Sequence, residues 1–206
     1  MSKFLTLTQD LYLNEGGDKV VYRHPYDDSL CIKILKKTNF KLMEMRREIC
    51  RFNQLHKKGV KINFAADFKG TVETNLGDGY VFELIKDFDG NSSLRMSDWL
   101  SDVSFVSKNF EILIEAFKNF KRILYENAVV FYDMKLENIC LKRESPEKFS
   151  LVFVDNIKSG KTVPIEYFFK FYARSKLKRY WKRYIVSNIL GFSKNPDVQK
   201  LACAIE

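Results

Sequence analysis

The sequence predicts an α+β protein of two small lobes, and two observations support this prediction. Two hairpin patterns, over residues 18–37 and 70–85, enclose one helical pattern over residues 40–57. A polar break follows, and then come a long helix, a small hairpin and terminal helices. We therefore expect an N-terminal lobe over residues 1–86 and a C-terminal lobe over residues 87–206.

Each element of the N-terminal lobe has a local signal. Apolar residues recur at three- and four-residue steps along the first helix, which Thr38 or Asn39 can cap and Gly59 can end. The strand before it is apolar except for one charged residue, Lys33. In the second hairpin, the segment Gly77-Asp78-Gly79 predicts the turn.

The C-terminal lobe begins with the clearest helical pattern of the chain, over residues 108–127. Two short apolar strands, Ile139–Leu141 and Leu151–Val154, are joined by a polar turn and predict a small hairpin. The last helical region covers residues 164–190 and has Pro164 at its start.

Composition excludes several classes of protein. The formal net charge of +9 favours anionic partners such as nucleotides, nucleic acid, phospholipid surfaces or phosphorylated glycans, and charge alone does not choose among them. The cysteines are too far apart for a zinc site and are expected to be free thiols in a reducing cytosol; they are Cys31, Cys50, Cys140 and Cys203. The first residues lack the pattern of a signal peptide, and no stretch approaches the roughly 20 apolar residues of a membrane span. We therefore expect a cytoplasmic protein.

Three polar residues of the C-terminal lobe suggest phosphoryl transfer. Asp133 and Asn138 share a loop, and the predicted hairpin brings Asp155 close to Asn138. An acid in such a loop can take the proton of an acceptor hydroxyl, while an amide oxygen and a second carboxylate can hold Mg²⁺. Lys135 can neutralise charge that develops on the transferred group. The alternative is that Asp and Asn serve only in turns and caps, where both are common.

Two resemblances extend this hypothesis. Residues 131–138 resemble the protein-kinase catalytic loop H-R-D-L-K-P-E-N without a gap, and Val154-Asp155-Asn156 resembles the metal-binding D-F-G segment. Over residues 14–185 the chain resembles the YrbL family, kinase-like proteins named for the PhoP regulatory network of enteric bacteria. The segments that carry this second resemblance are Cys31-Ile32-Lys33-Ile34, Arg46-Arg47-Glu48, Gly70-Thr71-Val72-Glu73-Thr74, Gly79-Tyr80-Val81, Asp87-Phe88-Asp89-Gly90, Asn138-Ile139, Asp155-Asn156-Ile157 and Trp181-Lys182-Arg183.

The resemblance implies a small bilobal protein-kinase-like fold with a truncated, helical C-terminal lobe. It implies ATP and Mg²⁺ as ligands, Lys33 as the lysine that binds the α- and β-phosphates, and Glu48 as the ion-pair partner of Lys33. Gly16 and Gly17 stand where a glycine-rich loop would cover the phosphates, although the full G-x-G-x-x-G pattern is absent. For Lys33 the alternative is a lysine on an edge strand whose ammonium group reaches water. For Glu48 it is a surface glutamate, and for Gly16 and Gly17 it is an ordinary turn.

The departures from the kinase pattern concern both activity and substrate. Phe131 and Tyr132 replace His-Arg, and Asn156 and Ile157 replace Phe-Gly. Because only about 50 residues follow Asp155, we expect the peptide-docking part of an ordinary protein kinase to be incomplete. We therefore expect a phosphotransferase with a hydroxyl acceptor, such as a sugar of a cell-surface glycan or glycolipid. The alternative is an inactive pseudokinase that binds a nucleotide or a partner for regulation.

The segment over residues 165–190 combines basic and aromatic residues. Phe169, Ala173, Leu177, Tyr180 and Tyr184 are predicted to form one helical face. One interpretation is a lobe helix with a core face and a solvated basic face. The other is an interfacial helix facing anionic lipid or a phosphorylated glycolipid, peripheral at the inner membrane. Nucleic acid is disfavoured, because the sequence contains no recognisable nucleic-acid-binding module.

Overall fold

The computed structural model describes residues 4–36, 39–157 and 165–206. The described residues form two compact units, one within the ranges Met1–Ile62 and Ala66–Ile85 and one within the ranges Asn63–Ala65 and Lys86–Glu206. Both units combine helices with antiparallel strands. The predicted mixed α+β class is confirmed.

The first unit is built on a five-stranded antiparallel sheet with the strand order β1-β2-β3-β5-β4. Its elements are β1 (Tyr12–Glu15), β2 (Lys19–His24), β3 (Asp27–Leu35), α1 (Asn39–Lys57), β4 (Phe68–Thr74) and β5 (Gly77–Glu83). The first predicted hairpin is confirmed as β2 and β3. Helix α1 is confirmed too, and Gly59 follows it at φ +68°, a left-handed conformation that glycine adopts without strain. The cap proposed at Thr38 lies outside the described residues.

The two faces of this sheet differ in chemistry. One face is apolar and buries Ile32, Ile34 and Val81 under two leucines of the N-terminal segment, Leu5 and Leu7. The other face packs on α1, and here the ring of Phe82 lies 5.9 Å from that of Phe52 of the helix. Because side chains of a strand alternate between faces, neighbours of the buried isoleucines in β3 point toward α1.

The turn predicted at Gly77-Asp78-Gly79 is wrong. Thr74 pairs with Gly77, so Asn75 and Leu76 form a two-residue turn and both glycines belong to β5. The hydroxyl of Thr74 donates to the carbonyl of Gly77 at 2.6 Å and accepts the N–H of Leu76 at 3.1 Å, which fixes this register. Gly79 serves packing instead, because a Cβ there would lie 2.6 Å from the Ile32 side chain.

The second unit contains the remaining helices and a two-stranded sheet. Its elements are α2 (Met96–Ser101), α3 (Val103–Lys108), α4 (Phe110–Glu126), β6 (Ile139–Ser145), β7 (Lys148–Phe153), α5 (Lys170–Tyr180), a π-helical segment (Trp181–Val186), α6 (Ser187–Phe192) and α7 (Pro196–Ala204). The long helix and the hairpin are confirmed as α4 and β6–β7. Pro164 lies outside the described residues. None of the described helices combines the length and the apolar character needed to cross a bilayer.

The helical face predicted for the terminal region is partly wrong. Ala173 and Leu177 are buried as predicted, but Phe169 is 64% exposed. The core residue that the pattern missed is Trp181, which is 1% exposed and donates its indole N–H to the Ile205 carbonyl at 2.9 Å. Phe169 precedes the first turn of α5 and has extended backbone angles, so the helical face does not include it. Trp181, the first residue of the π-helical segment, lies four residues after Leu177, and the buried face continues through Trp181 instead of Tyr180.

Candidate functional site

The candidate residues form two groups, one in each unit. In the first unit, Lys33 lies on β3, the middle strand of the sheet, and is 5% exposed. The edge-strand alternative is therefore wrong. A lysine at such a position keeps its charge only where other groups replace water around it, so its surroundings decide what it can do.

A second lysine shares the sheet face of Lys33. Val21 is paired with Lys33 across β2 and β3, and Lys19 lies two residues before Val21 in β2. Residues that are paired, or two apart in one strand, point to the same face, so both lysines project toward α1. The ammonium group of Lys33 lies 4.1 Å from the centre of the Phe82 ring, whose π-face attracts a desolvated cation.

Glu48 of α1 is the acid at this face. It is 1% exposed, so the surface-glutamate alternative is wrong. Its carboxylate lies 3.5 Å from the ammonium group of Lys19, a partner that the sequence did not predict. The hairpin pattern contained a signal for this partner. Lys19 lies two residues before Val21, the residue paired with Lys33, and so on the same face of the sheet. An ion pair between Lys33 and Glu48 stays a prediction.

Gly16 and Gly17 lie in the turn between β1 and β2. The Gly16 N–H donates to the Lys19 carbonyl at 2.9 Å, which closes the turn just before the strand that carries Lys19. A Cβ on either glycine would meet nothing within 4 Å. The space beside this turn is therefore open, as a ligand-covering loop would require, and the ligand role stays a prediction.

In the second unit, hydrogen bonds join Asp133 and Asn138. The Asn138 side-chain amide donates to the Asp133 carbonyl at 3.2 Å and to the Asp133 carboxylate at 3.1 Å. The other carboxylate oxygen lies 3.5 Å from the ammonium group of Lys135, whose side chain is 57% exposed. Both bonds use the amide nitrogen, so the Asn138 side-chain oxygen takes no part in them and can accept or coordinate another group.

The β6–β7 hairpin connects this loop to Asp155. Ile139 pairs with Phe153, and the Val154 N–H donates to the Asn138 carbonyl at 2.9 Å. Asp155 therefore follows immediately after the residue that is bonded to Asn138. The next residue, Asn156, adopts φ +62°, a left-handed conformation that asparagine tolerates better than most residues. This conformation turns the chain sharply after Asp155.

Phe131, which stands in place of the kinase histidine, supports the same hairpin by packing. Its ring centre lies 4.2 Å from that of Phe153 and 6.0 Å from that of Phe64. Phe131 is 1% exposed, whereas its neighbour Tyr132 is 52% exposed. Apolar contacts thus hold the base of the loop, while the loop's polar end reaches the surface.

The donor set of the second unit suits magnesium. Asn138 and Asp155 offer only oxygen ligands, the hard donors that Mg²⁺ prefers. Among the described residues, no group of three or more His, Cys, Asp or Glu side chains could hold a metal ion. Mg²⁺ does not require one, because it commonly keeps several waters and binds through one or two carboxylates together with substrate phosphates.

The sequence did not predict the ion-pair network around Arg143. The Arg143 guanidinium donates to the carboxylates of Asp87 at 2.6 Å and Asp89 at 2.7 Å. Asp87 also accepts the Arg143 N–H at 3.0 Å and the Ser93 hydroxyl at 2.5 Å. The hydrogen bond to Asp87, outweighing desolvation, raises the pKa of Arg143. The polar break after the second hairpin, over residues 86–91, is therefore held to β6 by these bonds.

Comparison with known proteins covers almost the whole chain. The family model described as "PhoP regulatory network protein YrbL" matches residues 5–188. The chain belongs to the YrbL family. Proteins named "Uncharacterized protein YrbL" from Escherichia coli (strain K12) and Shigella flexneri are each 30% identical over 196 residues, which cover 95% of this chain and 93% of the relative. The resemblance to the YrbL family is confirmed, and both groups of candidate residues lie within the match.

Proposed function

We propose that this YrbL-family chain is an ATP- and Mg²⁺-dependent phosphotransferase with a kinase-like fold and a hydroxyl acceptor. One observation carries the proposal: Asn138 forms hydrogen bonds toward both acids. Its side-chain amide donates to the Asp133 carboxylate, and its backbone carbonyl accepts the N–H of Val154, the residue before Asp155. A general base and two oxygen ligands for a metal are thereby connected through Asn138, as phosphoryl transfer requires.

The Asp133 carboxylate takes the proton of the acceptor hydroxyl. The acceptor oxygen then forms a bond to the γ-phosphorus while the bond from that phosphorus to the leaving ADP oxygen breaks. Lys135, close to Asp133, offsets negative charge on the transferred group. Mg²⁺, when bound by Asn138 and Asp155, neutralises phosphate charge.

In the first unit, Lys33 is the proposed phosphate anchor. A buried ammonium group on a middle strand has few conformations available, so little side-chain entropy is lost when it binds an anion. Glu48, buried on the helix that packs on the same sheet, contributes the opposite charge. Gly16 and Gly17 provide the open turn for the phosphates. The strand lysine and helical glutamate also support the kinase-like fold.

The acceptor class is a finer part of the proposal. The formal net charge of +9 favours anionic substrates, and a sugar hydroxyl of a phosphorylated surface glycan combines that charge with a nucleophilic oxygen. Exposed Tyr132 stands where kinases use an arginine to contact an activation-loop phosphate. We therefore propose that the activity does not depend on phosphorylation of such a loop.

A second candidate is a nucleotide-binding module without transfer. It is favoured by the fact that both carboxylate oxygens of Asp133 are already engaged, one by Lys135 and one by Asn138. A carboxylate held in this way can be a structural part of the loop instead of a base. The same ligand contacts would then serve regulation.

The test measures nucleotide binding and turnover on the same preparations. We expect ATP with Mg²⁺ to raise the melting temperature of the wild type, since a ligand that binds only the folded state stabilises it. Asp133→Ala should keep this shift and lose ADP production about 100-fold or more. Lys33→Met should lose the shift. Glu147→Ala, which removes an exposed carboxylate at the β6–β7 turn, serves as the matched control and should behave like the wild type.

Two results would contradict the proposal in different ways. Binding without turnover in the wild type, with phosphorylated glycans and generic proteins offered as acceptors, would favour the second candidate. No melting-temperature shift with ATP would remove both candidates.

A further inference from the structure

The helical stretch from α5 through the π-helical segment to α6 has one face in the core. Ala173, Leu177, Trp181 and Ile185 are each at most 1% exposed. The Trp181 ring contacts those of Phe117 and Phe120 in α4, with ring centres 6.3 and 6.4 Å apart. This face is fully used by packing, so any partner of the stretch must bind the opposite side.

Not every basic residue of the stretch is available to a partner. Lys176 is buried and forms an ion pair with buried Glu166. The Arg174 guanidinium donates to the Tyr125 carbonyl at 3.1 Å and lies over the Tyr125 ring. Lys170 is exposed at the start of α5. Four further exposed cations, Lys178, Arg179, Lys182 and Arg183, lie together at the C-terminal end of α5 and in the π-helical segment, and we name them the basic stripe.

The basic stripe borders a groove of about 690 Å³. Lys121 of α4 and Glu206 also line this groove, so its lining contains five cations and one carboxylate. Glu206 forms an ion pair with Lys182, which leaves the other stripe cations in excess. Desolvation and the positive charge of Lys178, outweighing attraction to Glu206, lower the pKa of Lys121. The groove is therefore a region of positive potential.

Large apolar side chains are exposed just before this stretch and in its first turn. Ile165 is 43% exposed, Phe168 68%, Phe169 64% and Phe171 86%. Phe171 precedes Ser175 and Lys178 by four and seven residues within α5, so these three exposed residues follow one line along the helix surface. Aromatic and basic residues thus share one solvent-facing side.

We propose that this side of the second unit docks on an anionic lipid membrane. Lipid headgroups supply the negative charge that complements the basic stripe, and the acyl boundary takes up the exposed phenylalanines. Charge and apolar insertion are the two signals that stable peripheral binding requires. A nucleic acid would satisfy the cations and could stack on the phenylalanines, but it would not bury Ile165, which the acyl boundary takes up. The proposal does not depend on phosphoryl transfer.

The experiment is sedimentation of the full chain with lipid vesicles at low and high salt. We expect binding to vesicles of phosphatidylcholine mixed with phosphatidylglycerol, little binding to phosphatidylcholine alone, and release by salt. A fourfold variant reverses the charge of the basic stripe and carries Lys178→Glu, Arg179→Glu, Lys182→Glu and Arg183→Glu. It should partition onto the vesicles more than about 100-fold more weakly, since each basic residue contributes about a factor of five. Phe168→Ser with Phe171→Ser should weaken it about tenfold and leave the salt dependence intact.

The matched control carries the same change in net charge at exposed lysines outside the stripe: Lys57→Glu, Lys61→Glu, Lys108→Glu and Lys118→Glu. It should bind within a few-fold of the wild type. Thermal unfolding of each variant checks folding, and Lys178→Glu with Arg179→Glu replaces the fourfold variant if that variant does not fold. Equal losses in the stripe and control variants, absence of vesicle binding at low salt, or stripe-dependent binding of single-stranded DNA without vesicle binding would overturn the proposal.

Discussion

The two groups of candidate residues are held in place by different means. In the first unit, Lys33 and Glu48 are nearly inaccessible to water and are fixed by a sheet and the helix packed on it. In the second unit, Asp133 and Asn138 lie on a partly exposed loop that depends on a few hydrogen bonds. The first arrangement puts charges where desolvation is costly, and the second keeps them where water can replace a lost partner.

This difference predicts where substitutions affect stability and where they affect activity alone. Removing one charge from a buried pair leaves its partner without compensation, which destabilises the fold strongly. Removing a partner at a partly exposed loop has a smaller effect, because water takes over part of the lost interaction. Three substitutions test the comparison.

The largest effect is expected for Glu48→Ala. The substitution leaves Lys19 beside an uncharged cavity, with Lys33 on the same sheet face. We expect the free energy of unfolding to fall by about 3 kcal/mol. Urea unfolding, followed by circular dichroism, measures the change. A loss below about 1 kcal/mol, the range of a surface ion pair, would contradict the buried arrangement.

A double-mutant cycle shows which lysine is coupled to Glu48. Lys19→Met and Lys33→Met are each combined with Glu48→Gln, which keeps the shape of the side chain. The structure predicts a coupling of about 1–2 kcal/mol for Lys19. A coupling of similar size for Lys33 would establish the ion pair that the kinase-like pattern predicts.

The next effect in size concerns the apolar face of the same sheet. In Gly79→Ala the new methyl group would lie 2.6 Å from the Ile32 side chain and 3.1 Å from that of Val72. We expect a loss of about 2 kcal/mol, typical of an overpacked core. Gly191→Ala is the control, since a Cβ at Gly191 meets nothing within 4 Å. Equal stability of the two variants in urea would show that the apolar face can expand.

The sequence predicted the parts of each group that depend on local patterns. Lys33 was recognisable as the one charge in an apolar strand, and Asp133 with Asn138 through their spacing along the loop. Strand alternation and loop spacing are properties of adjacent residues, so they can be recognised before the fold is known. The partner of Glu48 was missed because it depends on the pairing register of β2 and β3.

Two further features escaped prediction because distant parts of the chain create them. Trp181 is buried by rings of α4 and by a carbonyl near the C-terminal end, none of which a helical period encodes. Arg143 binds Asp87, which precedes it by 56 residues. The aromatic and basic residues of the last region were evident in the sequence, but the structure was needed to separate the buried Lys176 from the exposed basic stripe.

The smallest effect on stability is expected for Asn138→Ala. The substitution removes two hydrogen bonds to Asp133, but the Asp133 side chain is 25% exposed and water can replace part of them. We expect a loss of about 1 kcal/mol. If the loop is catalytic, Mg²⁺-dependent ADP production should fall far more than this loss of stability explains.

Asn127→Ala provides the control for that variant. The Asn127 amide donates to the Ile123 carbonyl at 2.9 Å in the same unit, so the substitution also removes an asparagine-to-backbone hydrogen bond. It should lower the free energy of unfolding by a similar amount and leave turnover unchanged. If both variants reduced ADP production equally, the effect of Asn138→Ala would come from a general loss of stability. The loop of Asp133 and Asn138 would then, like the buried charges of the first unit, contribute mainly to the stability of the fold.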